Sequence, residues 1–159
     1  MYNLTIENRL SKRVFDYTQS RFYFNDTIFG INQTVLIEDF NQNLTWTIDP
    51  VAQTCQRTYL PWGKKQPTRC IPGNAQYRDQ INNPGDVLVS RWRFDRQTST
   101  LNGTVSRGYT INECLPTRGA FVGTEDIDGA PVETLSLENF NNFEVLTDVS
   151  TYFNLPSYC

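Results

Sequence analysis

The chain has 159 residues, 14 of them basic and 17 acidic, for a net charge of -3 and no histidine. That charge leaves no electrostatic footprint for nucleic acid, and without imidazole there are no His-based triads, no His metal sites and no ready proton shuttle near neutral pH. The length fits one domain over 1–159, burying about 70% of its unfolded surface and so able to hold a real core.

Runs rich in Val, Ile, Phe, Tyr, Trp and Thr predict strands over 14–16, 21–25, 35–40 and 44–49. In the last of these Leu44, Trp46 and Ile48 fall on one face and Thr45, Thr47 and Asp49 on the other. Pro61, Gly63, Pro67, Pro72, Gly73, Pro84 and Gly85 then interrupt any sheet pattern, so 61–85 reads as a long loop pinned by Cys70, with Lys64 and Lys65 as solvated charges. Further strands are predicted over 86–94, 104–111, 120–123, 131–137 and 143–147, and in the first of them Arg91, Arg93 and Asp95 oppose Trp92 and Phe94. Asn102-Gly103 is a hairpin signal, since Asn-Gly supplies the positive φ values of a type I′ turn. No segment has a long helical period, and the whole predicts an all-β fold, a sandwich or half-open barrel of antiparallel sheet with one wet face.

Cys55, Cys70, Cys114 and Cys159 are widely spaced and lack the C-x-x-C pattern of zinc or thioredoxin-type sites. Two disulfides are the expected use, against the alternative of buried free thiols, and a cysteine at the last residue suggests a staple that ties down an end that would otherwise fray. Sequons begin at Asn3, Asn25, Asn32, Asn43 and Asn102, which can carry glycans only in the secretory pathway. Cysteines and sequons together favour a secreted, extracellular protein. The N-terminus lacks the basic and apolar regions of a leader, and no apolar run reaches the ~18 residues of a membrane span, so a secreted reading implies that a leader precedes this numbering.

Catalysis is hard to assemble from this inventory. Asp39, Asp49, Asp86 and Asp95 could pair as carboxylates, but solvated strand ends explain them more simply, and a non-enzymatic protein is expected. Glu125, Asp126 and Asp128 with Gly129 put oxygens at alternate positions as calcium prefers, yet without an EF-hand span or its closing glutamate; an acidic hairpin loop is the better reading, and no metal ligand is assigned. The aromatic surplus remains, and periodicity does not separate a filled β core from an aromatic-lined cavity.

The landmarks in order resemble the ependymin and ependymin-related family: Leu44, Thr45, Trp46, Thr47, Ile48 and Asp49 followed by Cys55; Ile71 and Pro72 with Ala75; Val87 to Trp92; Cys114, Leu115 and Pro116; and the closing Leu155, Pro156, Ser157, Tyr158 and Cys159. The resemblance covers nearly the whole chain. It implies a secreted, glycosylated, disulfide-bonded and usually dimeric protein, with two antiparallel sheets curved around a deep hydrophobic pocket, binding lipid-like molecules and calcium. It also implies a bridge from Cys55 to Cys159. The family's upstream Cys-x-x-Pro motif, whose cysteine pairs with the one matching Cys114, is missing, so either the recorded chain starts inside the mature protein or Cys114 has changed partner, with Cys70 the available alternative.

The resulting expectation is a carrier whose pocket holds a long apolar ligand: a lipid, a fatty acid or a carotenoid-like polyene. Phe22, Phe24, Trp46, Ile48, Trp92, Phe94, Tyr109 and Leu137, on apolar strand faces, are the expected lining. Its partner would be a second copy or a family member. The alternative is an extracellular adhesion or matrix glycoprotein whose association calcium controls.

Overall fold

A computed structural model describes residues 9–28, 33–83, 87–98, 100–127 and 129–159. The chain divides into two compact units, Met1–Gln66 with Leu146–Cys159, and Pro67–Val145. The first carries β1 (Arg9–Asp16), β2 (Arg21–Ile28), β3 (Gln33–Asp39), β4 (Leu44–Asp49) and β5 (Thr54–Tyr59), followed near the C-terminus by a 3-10 turn, η1 (Ser150–Phe153). The second carries β6 (Gln76–Asn83), β7 (Val87–Gln97), β8 (Leu101–Thr110), β9 (Pro116–Ile127) and β10 (Ala130–Asn139). Each set forms a five-stranded antiparallel meander in chain order. The expectation of an all-β fold with two antiparallel sheets is met.

Three predictions about elements are corrected. The loop expected over 61–85 contains β6, and β5 was not predicted at all; both are edge strands with mostly exposed polar residues, so neither carries an apolar alternation to read. Pro84, Gly85 and Asp86 lie outside the described residues. Residues 143–147 form no strand, because their apolar side chains have no paired neighbour, and Val145 is fully exposed. Asn102 and Gly103 lie inside β8 rather than at a turn; the β7–β8 connection closes between Thr98 and Leu101, whose amide and carbonyl are 2.7 Å apart. Gly103 is instead the partner of Gly123, and a Cβ on it would lie 2.4 Å from the Val122 carbonyl and 2.8 Å from the Phe121 ring. An aromatic ring covers the two glycines, and close approach, not turn geometry, requires them.

The first sheet owes its register to three turns built alike. Asp16, Asp39 and Asp49 each end a strand, and in each the Oδ1 accepts the backbone N–H three residues on, from Gln19 at 3.1 Å, Gln42 at 2.8 Å and Ala52 at 2.8 Å. Four residues later the chain takes a left-handed conformation, at Ser20, Asn43 and Gln53 with φ of 52, 56 and 52°. The carboxylates proposed as strand-end groups are therefore turn caps. Asp95, the other described member of that set, accepts the Thr104 hydroxyl at 3.2 Å.

Antiparallel pairing then fixes the faces. One face of the first sheet carries the row Val14, Tyr23, Ile37 and Trp46 beside Val35 and Ile48. The opposite face carries Phe15, Phe22 and Phe24, packed edge to face with Tyr17 and Phe40 nearby. Glu38 on that face is only 2% exposed and is neutralised by an ion pair with Lys64, so this lysine is an anchor for its loop and not the solvated charge expected.

Each unit holds one disulfide. Cys55 and Cys159 are bridged with Cα atoms 5.1 Å apart, and Cys70 and Cys114 with Cα atoms 5.4 Å apart. Closing separations of 104 and 44 residues removes unfolded-state entropy worth about 5 and 4 kcal/mol in chain-entropy reasoning.

Two measurements check this account. Glycine relieves the left-handed strain, so Ser20→Gly and Gln53→Gly each raise stability by about 0.5–1 kcal/mol, read as a higher denaturant midpoint with unchanged slope. Asp16 is the pH-sensitive cap. Burial pushes its pKa up, but hydrogen bonds from Thr18, Arg21 and Gln19, with the Arg21 charge, outweigh burial and hold it below the usual range. A depressed carboxyl contributes fully above its unfolded value and loses that contribution as pH falls through the folded one. Asp16→Asn therefore costs about 1–3 kcal/mol near neutral pH, and the gap from the parent closes on acidification below about pH 4.

Candidate functional site

In the second sheet alternation separates two very different faces. Trp92, Arg107 and Glu138 share one with Phe94, Val105 and Phe121, while Arg91, Ser106, Ala120 and Leu137 share the other with Val122 and Leu135. The first is closed by its own side chains. Val105, Tyr109 and Phe121 are buried, the Trp92 indole packs on Tyr77 at 5.4 Å and donates to Ser90 Oγ at 3.0 Å, and Arg107 pairs with Glu138 and lies over Phe140.

The second face is hollow. Small residues occupy its centre, since Ser106, Gly108 and Ala120 stand where neighbouring rows carry Val89, Ile81 and Leu137, and the result is a groove of about 580 Å³. Gly108 is required, because a Cβ there would lie 2.7 Å from Thr117 Oγ1 and 2.8 Å from Val89. Thr117 Oγ1, beside it, is buried with no hydrogen-bond partner among the described residues. Apolar surface continues beyond the groove: Leu137 is 74% exposed, and the cross-strand pair Val122 and Leu135 is also exposed. Contiguous exposed apolar surface on a β face marks a contact site more than a stray side chain does.

The polar rim is cationic. A bulge between Tyr77 and Asp79 adds one residue to β6 and brings Arg78 to the groove with Asp79. The Arg91 guanidinium hydrogen-bonds Asp79 through both Nε and Nη2; that bond first, and the nearby charge second, hold the Asp79 carboxyl below its usual range despite exposure to solvent. Asp79 is thus fully ionised near neutral pH and its charge is spent on Arg91. Arg78 and Arg118 add positive charge to the same rim, and no other carboxylate among the described residues lines it.

The first unit has a smaller depression of about 220 Å³ where the C-terminal segment crosses the face bearing Tyr23, Val35, Ile37 and Ile48. Tyr152 closes it, 5.5 Å from the Tyr23 ring and hydrogen-bonded through its hydroxyl to Lys12 at 2.9 Å, while Arg21 lies over Phe153. The bridge to Cys55 fastens the far end of this strap.

The eight residues expected to line one pocket are dispersed. Phe22 and Phe24 lie on the face of the first sheet opposite Trp46 and Ile48, so these four do not share a cavity wall there. Ile48 borders the small depression. In the second unit Leu137 lines the groove and Trp92 borders it with its indole turned to the other face, where Phe94 and Tyr109 also lie. Arg78, Asp79 and Ile81 escape a sequence reading because the breakers around β6 read as loop, and Ser106, Gly108 and Ala120 because a hollow is made by small residues that give no apolar signal. Among the acidic 125–129 residues, Asp126 caps the β9–β10 turn by accepting the Gly129 N–H at 2.7 Å, as an acidic hairpin loop would; Asp128 lies outside the described residues. Among the described residues no group of three or more potential metal ligands occurs. No helix among them is long and apolar enough to cross a membrane.

No protein-family model matches the sequence, and no curated protein is significantly similar to it.

A groove of exposed side chains over an essential glycine predicts a sharp contrast in stability. Arg118→Ala and Leu137→Ala leave the thermal midpoint within about 2 °C of the parent, whereas Gly108→Ala, which forces a Cβ into Thr117 and Val89, lowers it by several times that.

Proposed function

We propose that this protein is a secreted, non-enzymatic carrier of a long apolar ligand that ends in an anionic group. The observation that carries the proposal is the groove of the second sheet, with its small-residue floor, flanking Ile81, Val89 and Leu137 and arginine rim. Its volume, about 580 Å³, lies within the ~300–1,000 Å³ of small-molecule sites. Burial of an alkyl or polyenyl chain against Ile81, Ala120 and Leu137 supplies the affinity, at about 25 cal/mol per Å². Arg118 and Arg78 orient a carboxylate or phosphate, guanidinium being suited to planar bidentate pairing. A fatty acid or phospholipid suits this rim better than an uncharged carotenoid.

The two disulfides and the sequons support an extracellular destination, as the resemblance to ependymin-related proteins does. The exposed pair Val122 and Leu135 supports a second reading, association with another copy or a related chain through this same face, for which calcium would be an external regulator.

Organic extraction of the native protein followed by mass spectrometry separates the two. The carrier reading expects a stoichiometric amphiphile, and Ala120→Trp, which fills the groove, to reduce recovery at least about tenfold with little change in folding. Extracts without any ligand, together with a calcium-dependent change in oligomer size, would establish the association reading instead.

A further inference from the structure

We propose that Asn43 is the principal N-glycan attachment site among the described sequons. Three observations converge on it. First, Asn43 is exposed at the last position of the β3–β4 turn, and no hydrogen bond holds its side-chain amide among the described residues. Secondly, Thr45, which completes the sequon, is 8% exposed, and its Oγ1 is buried with no partner among the described residues. A buried unpaired hydroxyl is destabilising, and valine would fill the same space without that cost. The folded protein therefore makes no use of this hydroxyl. A use before folding accounts for it, because the sequon hydroxyl is read on the extended chain by the transferase.

The third observation is a comparison within the fold. Asparagine tolerates the left-handed conformation of Asn43, which would explain that residue on local grounds alone. Ser20 and Gln53, however, hold the same position in the sister turns, so the geometry does not demand asparagine, and it says nothing about Thr45. The other described sequons differ. Asn25 is half-buried in the middle of β2, between β1 and β3, with its Oδ1 accepting from Gln33 at 3.3 Å. Asn102 lies within β8, and the Thr104 hydroxyl of its sequon already serves the fold by donating to Asp95.

In the reaction the Asn43 Nδ2 displaces the diphosphate from the anomeric carbon of a polyprenyl-diphosphate-linked oligosaccharide. A C–N bond forms as the C–O bond breaks, Nδ2 gives up one proton, and polyprenyl diphosphate leaves with the electron pair. The inference rests on the secretory part of the preceding proposal and is independent of the groove and its ligand.

The test is expression of the full chain behind a cleavable leader in cultured animal cells, with site-resolved mass spectrometry after enzymatic deglycosylation in heavy-oxygen water, which labels each carboxylate formed from a glycosylated asparagine. Occupancy at Asn43 should exceed that at Asn25 by at least about tenfold and also exceed that at Asn102. Thr45→Val should abolish the Asn43 glycan, Thr45→Ser should keep it, and deglycosylated Thr45→Val should melt at or above the parent temperature. An empty Asn43, a smaller ratio, or a Thr45→Val variant that melts lower or fails to fold overturns the proposal. Because the leader is supplied and no ligand is read, these outcomes are separate from the extraction experiment on the carrier.

Discussion

The constraint on which the rest depends is register. In both sheets every strand pairs with its neighbours in sequence, so a short turn alone decides which residues stand opposite one another. A slip of one residue would exchange the two faces of a strand. In the first sheet it would put Glu38 where Ile37 lies and Thr45 where Trp46 lies; in the second it would close the groove with Trp92 and Arg107. The capped turns after Asp16, Asp39 and Asp49 prevent this by fixing both loop length and the left-handed residue that returns the chain to the sheet. Thr110 plays a related part before β9: its Oγ1 accepts the Leu115 N–H at 3.0 Å, with Cys114 as the left-handed residue.

That last turn links register to covalent structure. Cys114 sits where the sister turns place Ser20, Asn43 and Gln53, and its bridge to Cys70 ties the β8–β9 turn to the segment that precedes β6. The other bridge serves a different purpose. Cys159 fastens a strap whose remaining contacts, Tyr152 with Tyr23 and Lys12, and Arg21 over Phe153, are aromatic and cationic contacts on the first sheet. Contacts of this kind are each worth about 0.5–1 kcal/mol at exposed sites, too little to order a chain end against its conformational entropy. The bridge makes them cooperative by keeping the strap near the sheet.

How much of this was legible follows from burial. Strands such as β4 declare themselves by alternation of aromatic and aliphatic residues, Trp46 and Ile48, with Thr45 and Thr47, although Thr45 on the opposite face is itself buried. The edge strands β5 and β6 bury little, so nothing in Gln56, Arg57 or Asp79 and Gln80 announces a strand. Residues 143–147 show the converse, β propensity without a pairing partner. The groove residues are silent in the sequence for a related reason. Apolar strand positions such as Phe22, Tyr109 and Phe94 mark filled space; a hollow is marked by what is small, and Ser106, Gly108 and Ala120 carry no signal until register places them side by side.

The groove face also explains an otherwise awkward edge. β10 ends its sheet and presents Leu135 and Leu137 to solvent, and a flat apolar edge strand invites addition of a further strand. Its composition opposes that outcome without removing the apolar face. Pro131 lacks the N–H that a partner strand would need, Glu133 and Glu138 place charge along the edge, and Glu138 is held by Arg107 on the face away from the groove. Leucines at the same positions on an unprotected strand would be an aggregation hazard. Guarded in this way they remain available to a ligand or a partner surface that approaches the face, while one that approaches through the edge meets proline and carboxylates.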